Sequence, residues 1–442
     1  MISLKLDIAT RMDKSVLGIN VQYIEDYKIM INTIGMIQLN KQHTAAYIKD
    51  EVMKCLKSYD IDISQIYSNT TDNGANVVKA SKMLQEEQAE ELCEDQNETA
   101  NDVIKTIDQI TECREVVKTL RRLVRSSEHN VKMPVLDNAT RWNSTFNMMQ
   151  SLLSVRSQIE AGFLQALPSS SKDGDTNLNW DFIIDFVAAF QPLAKCTVQL
   201  QTEQYILGDF YRDWLNCEIE LEDIGEQNKF AGDLLSAMKT RKVRLLENDA
   251  VIAALYLDPR FNYQNSTFLS EVDKSKAMAH LIKTYELIKK LKGTDEYIQN
   301  EHRSISANSP SLETPSTSSF YSKLEERISL LDNSSPQQTI SIKQKLTDLG
   351  NKKRVPFETD VLKYWKNINF DEDISSIVKV VLAVPATQVS VERAFSALSL
   401  ILTKWRSKLS SSTINNLLLT KLNYKEIMPS SIDLSECSNL NA

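Results

Sequence analysis

The chain has 442 residues, a formal net charge of −8 and 42% hydrophobic residues, enough for large cores and about three domains at ~150 residues each. Six cysteines (Cys55, Cys93, Cys113, Cys196, Cys217 and Cys437) show no C-x-x-C and no regular spacing, which excludes a disulfide framework or a zinc ribbon. Ten glycines without a G-x-G exclude a dinucleotide fingerprint and a P-loop, so no nucleotide cofactor is expected.

The opening "MISLKLDIATRMDK" lacks the apolar centre of a signal peptide, and no stretch approaches the ~18 apolar residues of a membrane span. An intracellular chain with no membrane partner is expected. The acidic average hides basic clusters in "KTLRRLVRSSEHNVK", "KTRKVR", "GNKKR" and "TKWRSK". Taken singly, each reads as a solvated helix face or a linker.

In chain order, "ISLKLDIA" alternates Ile2, Leu4, Leu6 and Ile8 with polar residues, and "VLGINVQYI" and "YKIMINTIGMIQL" follow, with "EDY" as the turn between them. Period-two alternation predicts three successive antiparallel strands. "TAAYIKDEVMKCLKSYD" spaces Ile48, Val52, Leu56 and Tyr59 as a helix does, and "SQIYSNTTD" makes a fourth strand leading into a helix from Asn73. The order is β-β-β-α-β-α. "VKMPVLD" (131–137) is a candidate fifth strand, confined to an edge by Pro134. From Arg141 to about Leu291 the pattern turns to long amphipathic helices; Phe182, Phe186, Val187, Phe190 and Leu193 form one stripe. "RSISANSPSLETPSTSS" (303–319) is too poor in apolar residues to order itself and reads as a linker continuing to about 356. The remainder is apolar and helical, with Phe395, Leu398 and Leu402 on one face and Ile414, Leu417 and Leu418 on another.

Two acids interrupt this pattern. Asp7 sits mid-strand, where a lone buried carboxylate is prohibitive, so it is expected to face a polar cleft. Asp72 ends the fourth strand, and two readings stand open: an N-cap for the next helix, or a partner for Asp7 across adjacent first and fourth strands. Two carboxylates that close require a cation, and magnesium takes such oxygen ligands together with substrate phosphates.

The stretches "LKLDIATRMDKSVLGINVQYI", "HTAAYIKDEV", "TTDNGANVVKA", "LDNATRWNSTFNMM", "LYLDPRF" and "VPATQVSVERAFSALSLILTKWRSKLS" resemble, in order, the hAT transposase superfamily, and within it the branch carrying a BED zinc finger. The last stretch resembles the family's C-terminal dimerisation region. The resemblance implies an α/β fold, an RNase H-like mixed sheet interrupted by a large all-α insertion and closed by C-terminal helices. The domains would be 1–140, the insertion 141–302, a linker 303–356, the dimerisation region 357–428 and a tail 429–442. It implies Asp7, Asp72 and Glu392 as catalytic, metal-binding acids for Mg2+ or Mn2+, and Trp142, beside Arg141, as an aromatic stacking on DNA. Lys404, Arg406 and Lys408 would meet phosphates, and Phe395, Leu398, Leu417 and Leu418 would belong to the dimer contact. Partners would be DNA and a second copy, in the nucleus.

This sequence departs from the family where Cys93 is followed by "EDQ" rather than x-x-His, and no Cys/His cluster precedes the first strand, so no zinc site is expected. Two functions follow: a transposase-derived protein, N-terminally truncated or domesticated, that dimerises and contacts DNA; or an active DNA-cleaving transposase core working by two-metal hydrolysis and strand transfer. The departures favour the first. Limited proteolysis is expected to cut first within 303–319; first cuts elsewhere, with this stretch resistant, would overturn the linker reading.

Overall fold

The computed structural model describes residues 1–71, 75–85, 100–126, 133–138, 142–160, 178–225, 227–304, 341–368, 371–403, 406 and 408–424. The fold is α/β, mostly helical, with one mixed four-stranded sheet. The described residues fall into two compact units: one takes residues 1–85, 206–208 and 246–442, and the other 86–205 and 209–245.

In the first unit, strands β1 (Ile2–Arg11), β2 (Lys14–Glu25) and β3 (Lys28–Leu39) form the expected meander. Helix α1 (Ala45–Lys57) then returns the chain so that β4 (Ile66–Thr71) lies parallel to β1, giving the order β3-β2-β1-β4. Both hairpins close with two residues of positive φ, Met12 and Asp13, then Asp26 and Tyr27. Such loops match strand twist and usually draw on Gly or Asn; here Asp supplies one residue of each pair. Thr44 caps α1 by accepting from the Tyr47 N–H, and Ile48, Val52 and Leu56 are fully buried. They meet Leu4, Leu6, Leu17, Ile19 and Val21, with Val77, Ala80 and Leu84 of α2 (Ala75–Gln85) completing this core. Tyr59 lies beyond the helix end and is exposed.

The second unit is helical: α3 (Ala100–Ser126), α4 (Trp142–Ser154), α5 (Trp180–Gln199), α6 (Leu207–Ile224) from residue 209, and α7 (Lys229–Leu245). The aromatic stripe of α5 is its core: Phe186 stacks on Phe190 at 4.3 Å, and Phe230 meets Phe182 edge-on at 5.5 Å. The fifth strand expected over 131–137 is not found across residues 133–138. Side chains satisfy their backbone instead: Arg121 donates to the Pro134 carbonyl, and Ser151 and Ser144 hydroxyls accept from the N–H groups of Val135 and Asn138. Those groups therefore need no neighbouring strand.

The chain then returns to the first unit through α8 (Asp249–Tyr256), α9 (Glu271–Ser304), α10 (Ile342–Gly350), α11 (Val361–Asn367), α12 (Glu372–Val381), α13 (Val389–Ile401) and α14 (Ser411–Leu422). Residues 305–340, with most of the Ser/Thr/Pro stretch, lie outside the described residues. Helix α10 falls inside the span that composition assigns to the linker, yet Leu346 and Leu349 are buried and Gln264 donates its N–H to the Lys352 carbonyl at 2.9 Å. Two leucines at i and i+3 are too short a signal to register beside so polar a stretch.

The "LYLDPRF" stretch holds a fully buried ion pair. Arg260 Nη2 lies 2.6 Å from Asp258 Oδ2, and Arg260 also donates to the carbonyls of Phe357 and Thr359 at 3.4 and 3.5 Å. Gly208 packs against it so closely that a Cβ there would sit 1.8 Å from Asp258 Oδ2. Gly208→Ala must therefore disturb the pair, and disrupting such pairs costs about 3–5 kcal/mol. A fall of that size in urea-unfolding free energy is expected; unchanged stability would contradict this packing.

Candidate metal and nucleic-acid site on the sheet

Asp7 pairs with Gly18, and Gly18 with Met36, as one row across three strands. Cross-strand partners share a face, so Asp7 projects from the face opposite the α1 and α2 core. A Cβ at Gly18 would lie 2.7 Å from Val391 Cγ1 and 3.2 Å from Phe395 Cζ. Helix α13 thus rests on the sheet where β2 has no side chain, against the strand neighbour of Asp7. Glu392 follows Val391 and is exposed, whereas Asp7 is half-buried and its Oδ1 accepts from the Ile8 N–H at 2.7 Å. On the other side of β1 the last paired residues are Leu6 and Thr71, which immediately precede Asp7 and Asp72 in sequence. Asp72 itself lies outside the described residues.

The next row along the same face is Asn20, Lys5 and Thr70. Lys5 and Asn20 are buried. Burial pulls the Lys5 pKa down to about 8, with the positive charge of Arg393 adding to the fall. The row beyond is Gln22, Ser3 and Ser68, where Ser68 donates to Ser3 at 2.8 Å. The segment between α12 and α13 crosses these rows: Gln22 donates to the Ala383 carbonyl at 3.0 Å and Thr70 to the Pro385 carbonyl at 3.5 Å. Among the described residues several buried polar atoms here have no partner, namely Asn20 Oδ1, both amide atoms of Gln388, and Ser390 Oγ. Sequence reasoning singled out Asp7 but missed Lys5, Asn20, Gln388 and Ser390. The available signal was the polar set Ser3, Lys5 and Asp7 on one strand face, which reads as solvated until another layer is known to cover it.

Among the described residues no group of three His, Cys, Asp or Glu side chains is placed to hold a metal ion. Asp7 and Glu392 are carboxylates, the oxygen donors that magnesium takes, so two members of the expected donor set are of fitting chemistry. The remaining site residues belong to both units. Trp142 opens α4 in the second unit, 43% exposed, with its indole 6.2 Å from the Phe190 ring. Arg406 and Lys408 are exposed; Arg141 and Lys404 lie outside the described residues. In the "KTRKVR" cluster, Lys239 and Lys242 pair with Glu222 and Glu218 of α6.

Of the four apolar residues assigned to a dimer contact, Leu398 and Leu418 are buried in a core with Val16, Met36 and Ile414, and Phe395 packs against that core. Leu417 is 45% exposed, and Leu400 68%. Val378, Val381, Leu382 and Val384 are likewise buried. Helices α13 and α14 pack on the second face of the sheet, against Val16 and Met36, which buries much of the region's apolar surface within one chain.

Residues 345–424 match the hAT family C-terminal dimerisation region, a span running from within α10 to just past α14. The match supports membership of that family. Comparison with curated proteins gives no match. No helix among the described residues is long and apolar enough to cross a membrane.

The seat of α13 on β2 is open to direct test. Gly18→Val forces side-chain atoms into Val391 and Phe395, and overpacking of this kind costs about 1–3 kcal/mol. A lower midpoint of thermal unfolding is expected, with Gly18→Ala intermediate; equal midpoints for all three would show that α13 does not rest there.

Proposed function

We propose that this is a protein derived from an hAT-family transposase, which dimerises through its C-terminal region and contacts DNA in the nucleus, without productive transposition unaided. The match of residues 345–424 to the family's dimerisation region carries this reading. An RNase H-like arrangement of Asp7, Asp72 and Glu392 is the second part of the proposal, supported by the parallel β1–β4 pair and by α13 lying against Gly18. These three carboxylates would hold Mg2+ or Mn2+, and a metal so held supplies activation of water and neutralisation of charge at a phosphodiester. Asp7, half-buried on a strand, would be the fixed donor, and Glu392, exposed on the first turn of α13, the donor free to adjust.

Self-association is tested by contrasting two adjacent leucines. Leu418→Glu places a charge in the chain's own core and is expected to abolish folding, seen as lost cooperative unfolding. Leu417→Glu should stay folded but weaken the dimer, since charge at an apolar interface is disruptive. Light scattering that finds the wild-type chain monomeric at tens of micromolar would overturn dimerisation through this region.

The catalytic part is tested by metal-dependent nicking of hairpin and duplex DNA. Cleavage by the wild-type chain that Asp7→Asn and Glu392→Gln each reduce by at least ~100-fold would favour the active-core alternative. Cleavage that both variants retain would remove these residues from the site.

A further inference from the structure

The buried polar groups beside Asp7 ask for a ligand of their own. Lys5 is 4% exposed and Asn20 1% exposed, and they pair across β1 and β2 on the face that α13 covers. The covering segment is pinned around them, by Gln22 on Ala383, by Thr70 on Pro385 and by Val391 against Gly18. Within that frame Asn20 Oδ1, Gln388 Oε1 and Nε2 and Ser390 Oγ are buried without a hydrogen-bond partner. An orphaned buried polar group is costly in a core, and so is a buried ammonium. A second cation, Arg393, adds its repulsion to Lys5. An anion rich in acceptor oxygens meets the donors among them: it offsets the Lys5 ammonium and accepts from the Gln388 Nε2 amide and the Ser390 hydroxyl. The frame has its way in at the Asp7 row, where Asp7 is half-buried and Glu392 and Arg393 are exposed.

We propose that Lys5, with Gln388 and Ser390 above it and Asn20 and Thr70 beside it, forms a seat for a phosphate group of a nucleic-acid strand. The seat lies one sheet row from Asp7, about 6.6 Å along the strand at ~3.3 Å per residue. It would hold the phosphate next to the one presented to the acids and so set the register of the strand. The assignment rests on the nucleic-acid reading given above.

The test uses two probes on the full chain, without divalent metal. The first is inorganic phosphate against chloride at equal ionic strength, read as a thermal shift, since a ligand that binds only the folded state raises the midpoint. The second is a mixed-sequence single-stranded oligonucleotide, read by fluorescence anisotropy over a salt series. Phosphate should raise the wild-type midpoint and leave Lys5→Met unmoved. Lys5→Met should bind the oligonucleotide about tenfold more weakly, with the salt slope reduced by about 0.7, the value of one phosphate contact on a single strand. Ser390→Ala, a milder change, should lose part of the phosphate shift. Without ligand, Lys5→Met should melt above the wild type, because an apolar chain replaces a buried charge; a purely structural lysine would give the reverse.

A phosphate shift of equal size in wild type and Lys5→Met, or none in either, would overturn the seat and make these groups a hydrated part of the core. If the seat fails while Asp7-dependent nicking persists, the functional reading stands without it. A Lys5-dependent phosphate shift with no oligonucleotide binding would keep the anion seat, overturn its assignment to a nucleic-acid strand, and count against the DNA reading.

Discussion

The architecture of the first unit depends on a missing side chain. Residue 18 lies in the middle of β2, where a β-branched residue would be ordinary, yet any Cβ would collide with Val391. With glycine there, α13 settles onto the sheet, and Ala394, Ala397, Leu398 and Leu402 are drawn into a core with Val16 and Met36. Glycine in a strand interior weakens the strand locally and often marks a place where other atoms approach closely. Here the approach joins the first strands of the chain to a helix about 370 residues later in the sequence.

A second constraint works within the same unit. Asp258 and Arg260 are two residues apart, but the carbonyls that Arg260 reaches belong to Phe357 and Thr359, and the glycine admitted against Asp258 is Gly208. The pair therefore ties three distant segments to one point. A buried ion pair is poor evidence for stability in itself, since desolvation offsets much of its attraction. Its value here is positional: a guanidinium with fixed donor directions accepts few alternative partners, so the stretch at 357–359 is held beside residues 258–260 in a defined way.

The strands and their order were legible because their signal is local. Alternation in "ISLKLDIA" and helical spacing in "TAAYIKDEVMKCLK" give β-β-β-α-β, and a parallel return beside β1 follows from a helical crossover after a meander. What covers the other face was not legible. Ser3 and Lys5 look like a solvated strand face, and Val378, Val381, Leu398 and Leu418 look like more apolar surface than one chain can hide; each observation resolves the other only when the two segments are known to meet. The "VKMPVLD" run shows the converse error: it has the composition of an edge strand, but the hydroxyls of Ser144 and Ser151 reach its backbone first. At the candidate site, Asp7 stood out as a charge within an apolar alternation. Gln388 and Ser390, in an ordinary helix start, carried no such mark.

Helix α14 also does something that no periodicity announces. Asn423 accepts from the Thr33 N–H and donates to the Thr33 carbonyl, at 3.0 and 2.8 Å, and Asn415 accepts from the Met36 N–H at 2.8 Å. Two asparagines on one helix thus imitate an adjoining strand along the outer side of β3. An open strand edge invites pairing with another chain, and this one is closed at its middle by amide groups supplied from within. Sheet-to-sheet extension through these positions, the usual route to fibrous aggregates, is thereby blocked. Copies of the chain that meet along this flank encounter a helix surface, on which recognition depends on particular side chains rather than on backbone that any sequence can offer.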